Sequence, residues 1–347
     1  MPVSGTVVRL NGAQSRKTIS DANGDYHFDN VETDGFYTVT PTRANYSFNP
    51  FNRSFSQVGN KTEAVFTAAS TGDNANPLET PEYFVRQQYV DILGREPDEA
   101  GFNYWSDQLL ACNGETNCTS AKRLSVAAAF FVEQEFQASG SYIYDMYRGA
   151  LGRKPVFTEY AADRQQVVGG ANLAAEKAAF GESFAQRVEF IRQYPVTMTA
   201  EAFVDALLLN VQQTSGVDLS RSRDSLLARY QGGGSLAESR GLVLRDVADA
   251  SALKQAEYNS AFVLTEYFGY LRRDADQAGF EFWLNVLNDR APGNYRGMVC
   301  SFITSSEYQR RFSTVVTHSN GECSQVSAVA KSGGRRQPAG RTRRNAE

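Results

Sequence analysis

The chain has 347 residues, 41% of them hydrophobic and 21% charged, with a formal net charge of −4. That length corresponds to two or three domains at ~100–200 residues each, and the composition belongs to a globular chain rather than a disordered one. No apolar run reaches the ~18 residues needed to cross a bilayer, and the acidic balance argues against nucleic acid as a partner.

Met1 leads directly into Pro2-Val3-Ser4-Gly5. This is a turn-and-strand opening rather than a leader, so an exported chain would need a signal upstream of this sequence or one not of the usual kind. Residues 1–68 show no helical periodicity. Short strands are predicted over 6–10, 18–20, 26–28, 36–40 and 64–67, with Asn23-Gly24 as a hairpin turn because both residue types tolerate positive φ. The product is a small antiparallel β-sandwich. Asp21-x-Asn23-x-Asp25 opens like a calcium loop and Glu32 falls at its twelfth position. The glycine, Gly24, stands fourth rather than sixth, so a plain hairpin turn without a metal is expected.

The runs Pro2-Val3-Ser4-Gly5-Thr6-Val7-Val8, Ser20 to Phe28 through Asn23-Gly24-Asp25, Gly35 to Pro41 and Tyr46-Ser47-Phe48-Asn49-Pro50 resemble the carboxypeptidase regulatory-like, prealbumin-type β-sandwich family. That family begins one strand earlier, so the resemblance implies either that this sequence is a fragment of a longer protein or that the first strand is missing, and the second case would leave an unpaired sheet edge. It also implies a carbohydrate-binding-like fold. Tyr26, Tyr37, Tyr46, Phe48 and Phe51 are then candidates for stacking on sugar rings, with ordinary core or strand packing as the simpler role.

Residues 69–81 are small and polar with two prolines and are predicted to be a linker. Thr80 is positioned as an N-cap and Pro81 as the first helical residue.

The remainder, 82–314, is predicted to be an all-α repeat region with units over about 82–138, 142–195, 200–256 and 258–314. Tyr89-x3-Leu93-Gly94-Arg95-Glu96-Pro97-Asp98-x2-Gly101-Phe102-x-Tyr104-Trp105 matches Tyr267-x3-Leu271-Arg272-Arg273-Asp274-Ala275-Asp276-x2-Gly279-Phe280-x-Phe282-Trp283 without a gap, at an offset of 178. Tyr147-x3-Leu151-Gly152-Arg153-Lys154-Pro155 repeats the front half, and 203–216 is a weaker echo. A second half follows: Phe130-x4-Glu135-Phe136-Gln137 aligns with Phe302-x4-Glu307-Tyr308-Gln309 and with Phe184-x4-Glu189-Phe190. Each unit therefore reads helix, tight turn, helix, loop, helix. In the turn, Gly94 supplies a left-handed C′ residue, Pro97 stops the first helix and Asp98 caps the next. Gly101 permits close approach, and Arg95 is expected to lock the turn through Asp98. Tyr89, Gly94, Arg95, Asp98, Gly101, Trp105, Tyr267, Arg273, Asp276, Gly279 and Trp283 are read as a packing motif rather than a binding site.

This motif resembles a helical family of unknown function, DUF 4214, that recurs in bacterial secreted and cell-surface proteins and is distantly similar to phycobilisome linker domains. The resemblance implies a protein-binding role without catalytic residues or cofactor.

Cys112 and Cys118, and Cys300 and Cys323, form two local pairs that suit two disulfides in an oxidising compartment. Free buried thiols and a metal site are the alternatives; the absence of C-x-x-C and the presence of only His27 and His318 count against a metal. No nucleophile motif or phosphate loop is present, and Gly169-Gly170 and Gly232-Gly233-Gly234 follow no strand. Glu133 and Glu135, two apart on a helix, point to different faces and make a poor glycosidase pair. Residues 315–347 are predicted to be a disordered basic tail carrying Lys331, Arg335, Arg336, Arg341, Arg343 and Arg344 against Glu347. These observations lead to the expectation of a non-catalytic extracellular or cell-surface protein. Its helical repeats would act as scaffold or interaction surface toward a protein partner, the alternative being a surface glycan held by the sandwich.

Overall fold

Six short strands open the chain. A computed structural model describes residues 2–59, 63–132 and 134–323. The strands are β1 (Val7–Gly12), β2 (Arg16–Ile19), β3 (Tyr37–Thr42), β4 (Tyr46–Asn49), β5 (Arg53–Phe55) and β6 (Thr67–Ser70). They form a four-stranded sheet of order β2-β1-β3-β5 and a two-stranded sheet β4-β6, with every pairing antiparallel. Alternation along β1 divides its side chains between two cores. Val8 and Leu10 join Tyr37 and Val39 inside the β module, while Val7, with Ile19 of β2, faces the opposite way into the helical core.

Two strand expectations are corrected. Residues 26–28 are not a strand: Tyr26 and Phe28 lay their rings on the inner core, and the Tyr26 hydroxyl donates to the Ala64 carbonyl at 2.5 Å. The last strand runs over Thr67–Ser70 rather than 64–67. It pairs with β4 on an exposed face, where no hydrophobic alternation marks its register. The outer strand β2 packs against a helix through Arg16–Glu99 and Lys17–Asp107 ion pairs.

Residues 69–81, expected to be a linker, are built into the structure. Asn76 accepts the Leu78 N–H at 3.1 Å and opens a single 3-10 turn, Pro77–Glu79. Asn76, Pro77 and Leu78 are buried. The β module is further fixed by Arg9–Glu82 and by Arg43 lying 4.2 Å over the Tyr83 ring.

The helices follow as α1 (Pro81–Gln88), α2 (Glu99–Leu110), α3 (Thr116–Val132), α4 (Gln134–Ala138), α5 (Gly140–Leu151), α6 (Phe157–Arg164), α7 (Leu173–Ala185), α8 (Val188–Gln193), α9 (Ala200–Ser215), α10 (Arg223–Tyr230), α11 (Leu236–Ala248), α12 (Ser251–Glu266), α13 (Gln277–Asn285), α14 (Tyr295–Ile303) and α15 (Ser306–Arg310). α1 and α12 each run on into a wider π-helical turn, Tyr89–Leu93 and Tyr267–Leu271. One aromatic-rich core joins all the repeats. Among the described residues no helix is long and apolar enough to cross a membrane.

The tail expectation is corrected for residues 315–323. The Gln309 carboxamide oxygen accepts the N–H groups of Thr317 and His318, Asn76 donates to the Val315 carbonyl at 3.0 Å, and Cys323 closes a disulfide. This segment covers the turn before α1. Composition did not reveal it because its partners, Asn76 and Glu79, lie more than 200 residues away in sequence. The basic residues Lys331 to Arg344 lie outside the described residues.

Candidate functional site

The repeated turn is built the same way in the first and last repeats. Gly94 ends its π turn at φ +67°. Arg272 takes the same left-handed conformation at φ +56° without being glycine, a strained choice for a side chain with a Cβ. The middle copies end on Gly152 and Gly216 at φ +71° and +68°. Asp98 then caps α2 by accepting the Gly101 N–H at 2.8 Å, and Asp276 caps α13 by accepting the Gly279 N–H at 2.8 Å. A Cβ at Gly101 would stand 2.1 Å from the Tyr89 hydroxyl oxygen, and one at Gly279 2.3 Å from that of Tyr267. The glycines are therefore set by the tyrosines that lie across them.

Arg95 locks the turn, but its main partner differs from the one expected. The contact with Asp98 is long, at 3.4 Å, whereas Glu135 takes the guanidinium with both oxygens at 2.6 and 2.9 Å. The same two-pronged clasp joins Arg153 to Glu189 at 2.7 and 2.6 Å and Arg273 to Glu307 at 2.6 and 3.0 Å. Each guanidinium also lies over the tyrosine of its own unit, at 5.0, 5.1 and 5.2 Å. Each tyrosine meets the phenylalanine of the second half edge to face: Tyr89–Phe130, Tyr147–Phe184 and Tyr267–Phe302, at 4.8, 5.1 and 5.0 Å. Such rings contribute about 0.5–1.5 kcal/mol per pair beyond burial. Hydrogen bonding to Glu135 and to Glu307 raises the pKa of Arg95 and of Arg273. Arg153, held by Glu189 and also by Glu159, is raised further. The three glutamates were visible in sequence as the last residue of the Phe-x4-Glu halves. What sequence did not provide was the fold that returns them to the arginines.

The first and last repeats meet through their π turns. The Tyr270 hydroxyl donates to the Gln88 side-chain oxygen at 2.7 Å. The side chain of Asp91 is fully buried and accepts from Arg272 at 2.8 Å, Arg311 at 2.9 Å and the Tyr308 hydroxyl at 3.2 Å. At the same offset of 178, Gln88 corresponds to Glu266, Asp91 to Gly269 and Tyr270 to Ile92. The mirrored half of the contact is thus stripped of its polar partners. Glu266 is fully buried there with neither carboxylate oxygen hydrogen-bonded. Desolvation holds its carboxyl well above the usual range and so favours its protonated form. Asp145, also buried, is pushed up to about 8 by desolvation.

At the surface, Trp105 and Trp283 are half-buried, packed on Phe130 and Phe302. Each carries an exposed aromatic neighbour in edge-to-face contact: Tyr104, 59% exposed, at 4.8 Å, and Phe282, 50% exposed, at 5.2 Å. Cys112–Cys118 and Cys300–Cys323 are disulfides, with Cα atoms 5.5 and 5.7 Å apart.

The other sequence candidates do not assemble. Of the sandwich aromatics, Tyr37 is fully buried, Tyr26 is tied to the backbone, Phe48 is half-buried, and Tyr46 and Phe51 are exposed; they form no common platform. Asp21 accepts the N–H groups of Asn23 and Asp25 at 2.8 and 2.9 Å, which is a turn stabilised by its own carboxylate. Among the described residues no group of three or more His, Cys, Asp or Glu side chains is placed to hold a metal ion. Glu135 belongs to the clasp, and Glu133 lies outside the described residues.

No curated protein and no solved structure matches the chain. The family model described as a domain of unknown function (DUF4214) matches it twice, over residues 74–139 and 249–317, which are the first and last repeats.

Proposed function

We propose that the protein is an exported, non-catalytic scaffold whose first and last repeats bind a protein partner through paired surface aromatics. The observation that carries this reading is the retention of Tyr104 and Phe282 at equivalent positions, both exposed and both seated on a tryptophan. Between the same two copies, buried positions where the repeats meet have changed: Asp91 against Gly269, and Ile92 against Tyr270. Packing explains why the tyrosine, arginine and glycine of the motif recur; the tryptophan contact uses only part of each exposed ring and leaves about half of it in water. Rigid aromatics held by a neighbour are the typical anchors of protein interfaces, because little side-chain entropy is lost on binding.

The reading is also supported by the engagement of every motif arginine in an internal clasp, which leaves none of them for substrate. The two disulfides fit an oxidising compartment. The resemblance of the repeats, in sequence, to a family distantly similar to phycobilisome linker domains points the same way. In this proposal the sandwich is a spacer seated on the first repeat.

A photoreactive residue at 104 or at 282, with one at exposed Val188 as control, tests the proposal in the cells that make the protein. Cross-links from both positions to one protein species, absent from the control, are expected. Cross-links to none, or equally from the control, contradict it.

A further inference from the structure

The last repeat carries a cleft that the motif does not use, a space of about 540 Å³ between α12, α13 and α14. Tyr258 and Tyr295 form its aromatic corner, with ring centroids 5.4 Å apart and planes at 82°. Phe262 backs Tyr295 at 4.8 Å. The Tyr295 hydroxyl donates to the Asn259 side-chain oxygen at 2.7 Å, and Asn259 donates to that of Asn288 at 2.6 Å. This relay fixes the polar wall. The Asn288 amide nitrogen, the Gln255 carboxamide and the Tyr258 hydroxyl make no hydrogen bond among the described residues. Lys254 is the one charged residue in the lining, and its ammonium is paired with Asp249 at 2.7 Å.

We infer that this cleft binds a neutral saccharide. Carboxamides both donate and accept, as do the vicinal hydroxyls of a sugar. The aromatic corner offers apolar surface to the C–H face of the ring, and the volume lies within the range of small-ligand sites. An apolar ligand would bury the free amides and hydroxyl unpaired, at about 1–3 kcal/mol each. An anion would need an uncommitted cation, and Lys254 is committed. No carboxylate lines the cleft, so the pair of acids needed to cut a glycosidic bond is missing and the sugar is held rather than hydrolysed.

The first repeat has no second copy of this site. Tyr258 and Asn259 correspond there to Thr80 and Pro81, and Tyr295 to Arg123 at the offset of 172 that relates Phe130 to Phe302. Arg123 is buried over Phe84 and donates to the Leu78 carbonyl at 2.6 Å, which closes the space. The stoichiometry is therefore one sugar chain per protein.

Titration calorimetry of the full chain with maltotetraose, cellotetraose, chitotetraose and mannotetraose, and with trigalacturonate as the anionic control, tests the inference. At least one neutral tetrasaccharide should bind 1:1, with affinity falling at least about tenfold, or 1.4 kcal/mol, in Tyr258→Ala and in Asn288→Ala. Asn288 is exposed, so its variant probes the site without disturbing the core. Failure of every neutral tetrasaccharide to bind at about 10 mM, binding of trigalacturonate alone, or unchanged affinity in Asn288→Ala would overturn it.

Discussion

The first and last repeats share a turn, a cap, a tyrosine–arginine–glutamate clasp and a tryptophan, yet their contact with each other is lopsided. On one side Gln88 and Asp91 are fully served by Tyr270, Arg272, Tyr308 and Arg311. On the other, Glu266 is buried without a partner. The difference separates two kinds of duplicated residue. Those that build a unit from within have stayed alike. Those that join one unit to another have specialised: one of the two mirrored contacts is charged, with Asp91 of the first repeat against Arg272 and Arg311 of the last, and the other has lost its polar partners.

The largest way to break that asymmetry is Asp91→Ala. It strands the Arg311 guanidinium in a mostly buried site and should cost about 3–5 kcal/mol by denaturant titration; a loss below ~1 kcal/mol would mean that solvent already serves the arginines. The disulfides come next, one in each repeat. Cys300–Cys323 spans 23 residues and Cys112–Cys118 spans six. Loop-closure entropy predicts losses of about 3 and about 2 kcal/mol for the respective double serine variants. Equal losses would point instead to strain or to residual structure in the unfolded chain.

Glu266→Gln sharpens the comparison in the opposite direction. The folded-state pKa of Glu266 is raised above its ordinary 4.5. Its contribution is therefore most favourable below pH 4.5 and is lost as pH rises toward the folded-state pKa. The variant should be the more stable at pH 7, on the order of 1–2 kcal/mol, and the gap should shrink as pH falls toward 4.5. A gap independent of pH would mean that Glu266 has a hidden partner. Any pH slope left in the variant belongs in part to Asp145. The smallest effect is the loss of two-pronged geometry in Arg95→Lys, about 1 kcal/mol. Arg153→Lys should cost more, because two carboxylates share that guanidinium.

Much of this architecture was legible in the sequence, for physical reasons that also set the limits. Gly94, Asp98 and Gly101 act on their immediate neighbours, so spacing alone predicted the turn. The cysteine pairs are local in the same sense. The clasp glutamate was missed because a nearer carboxylate, Asp98, offered itself, and choosing between them requires the path of α3. Asn76-Pro77-Leu78 reads as linker because it has loop composition, although its cap and burial are tertiary. Residues 26–28 alternate like a strand and yet lie where they have no ladder to join. The Tyr258–Tyr295 cleft left no trace in the sequence, because its walls come from segments whose proximity only folding creates.

The central claim is that the motif maintains the fold while the paired surface aromatics carry the binding. Affinity for the cross-linked partner, measured together with melting temperature for Arg95→Lys and for the double variant Tyr104→Ala, Phe282→Ala, tests it most directly. The claim predicts that Arg95→Lys melts earlier and binds normally, and that the aromatic variant melts normally and loses at least about tenfold in affinity. A folded Arg95→Lys protein that no longer binds, or an aromatic variant that binds unchanged, would contradict it.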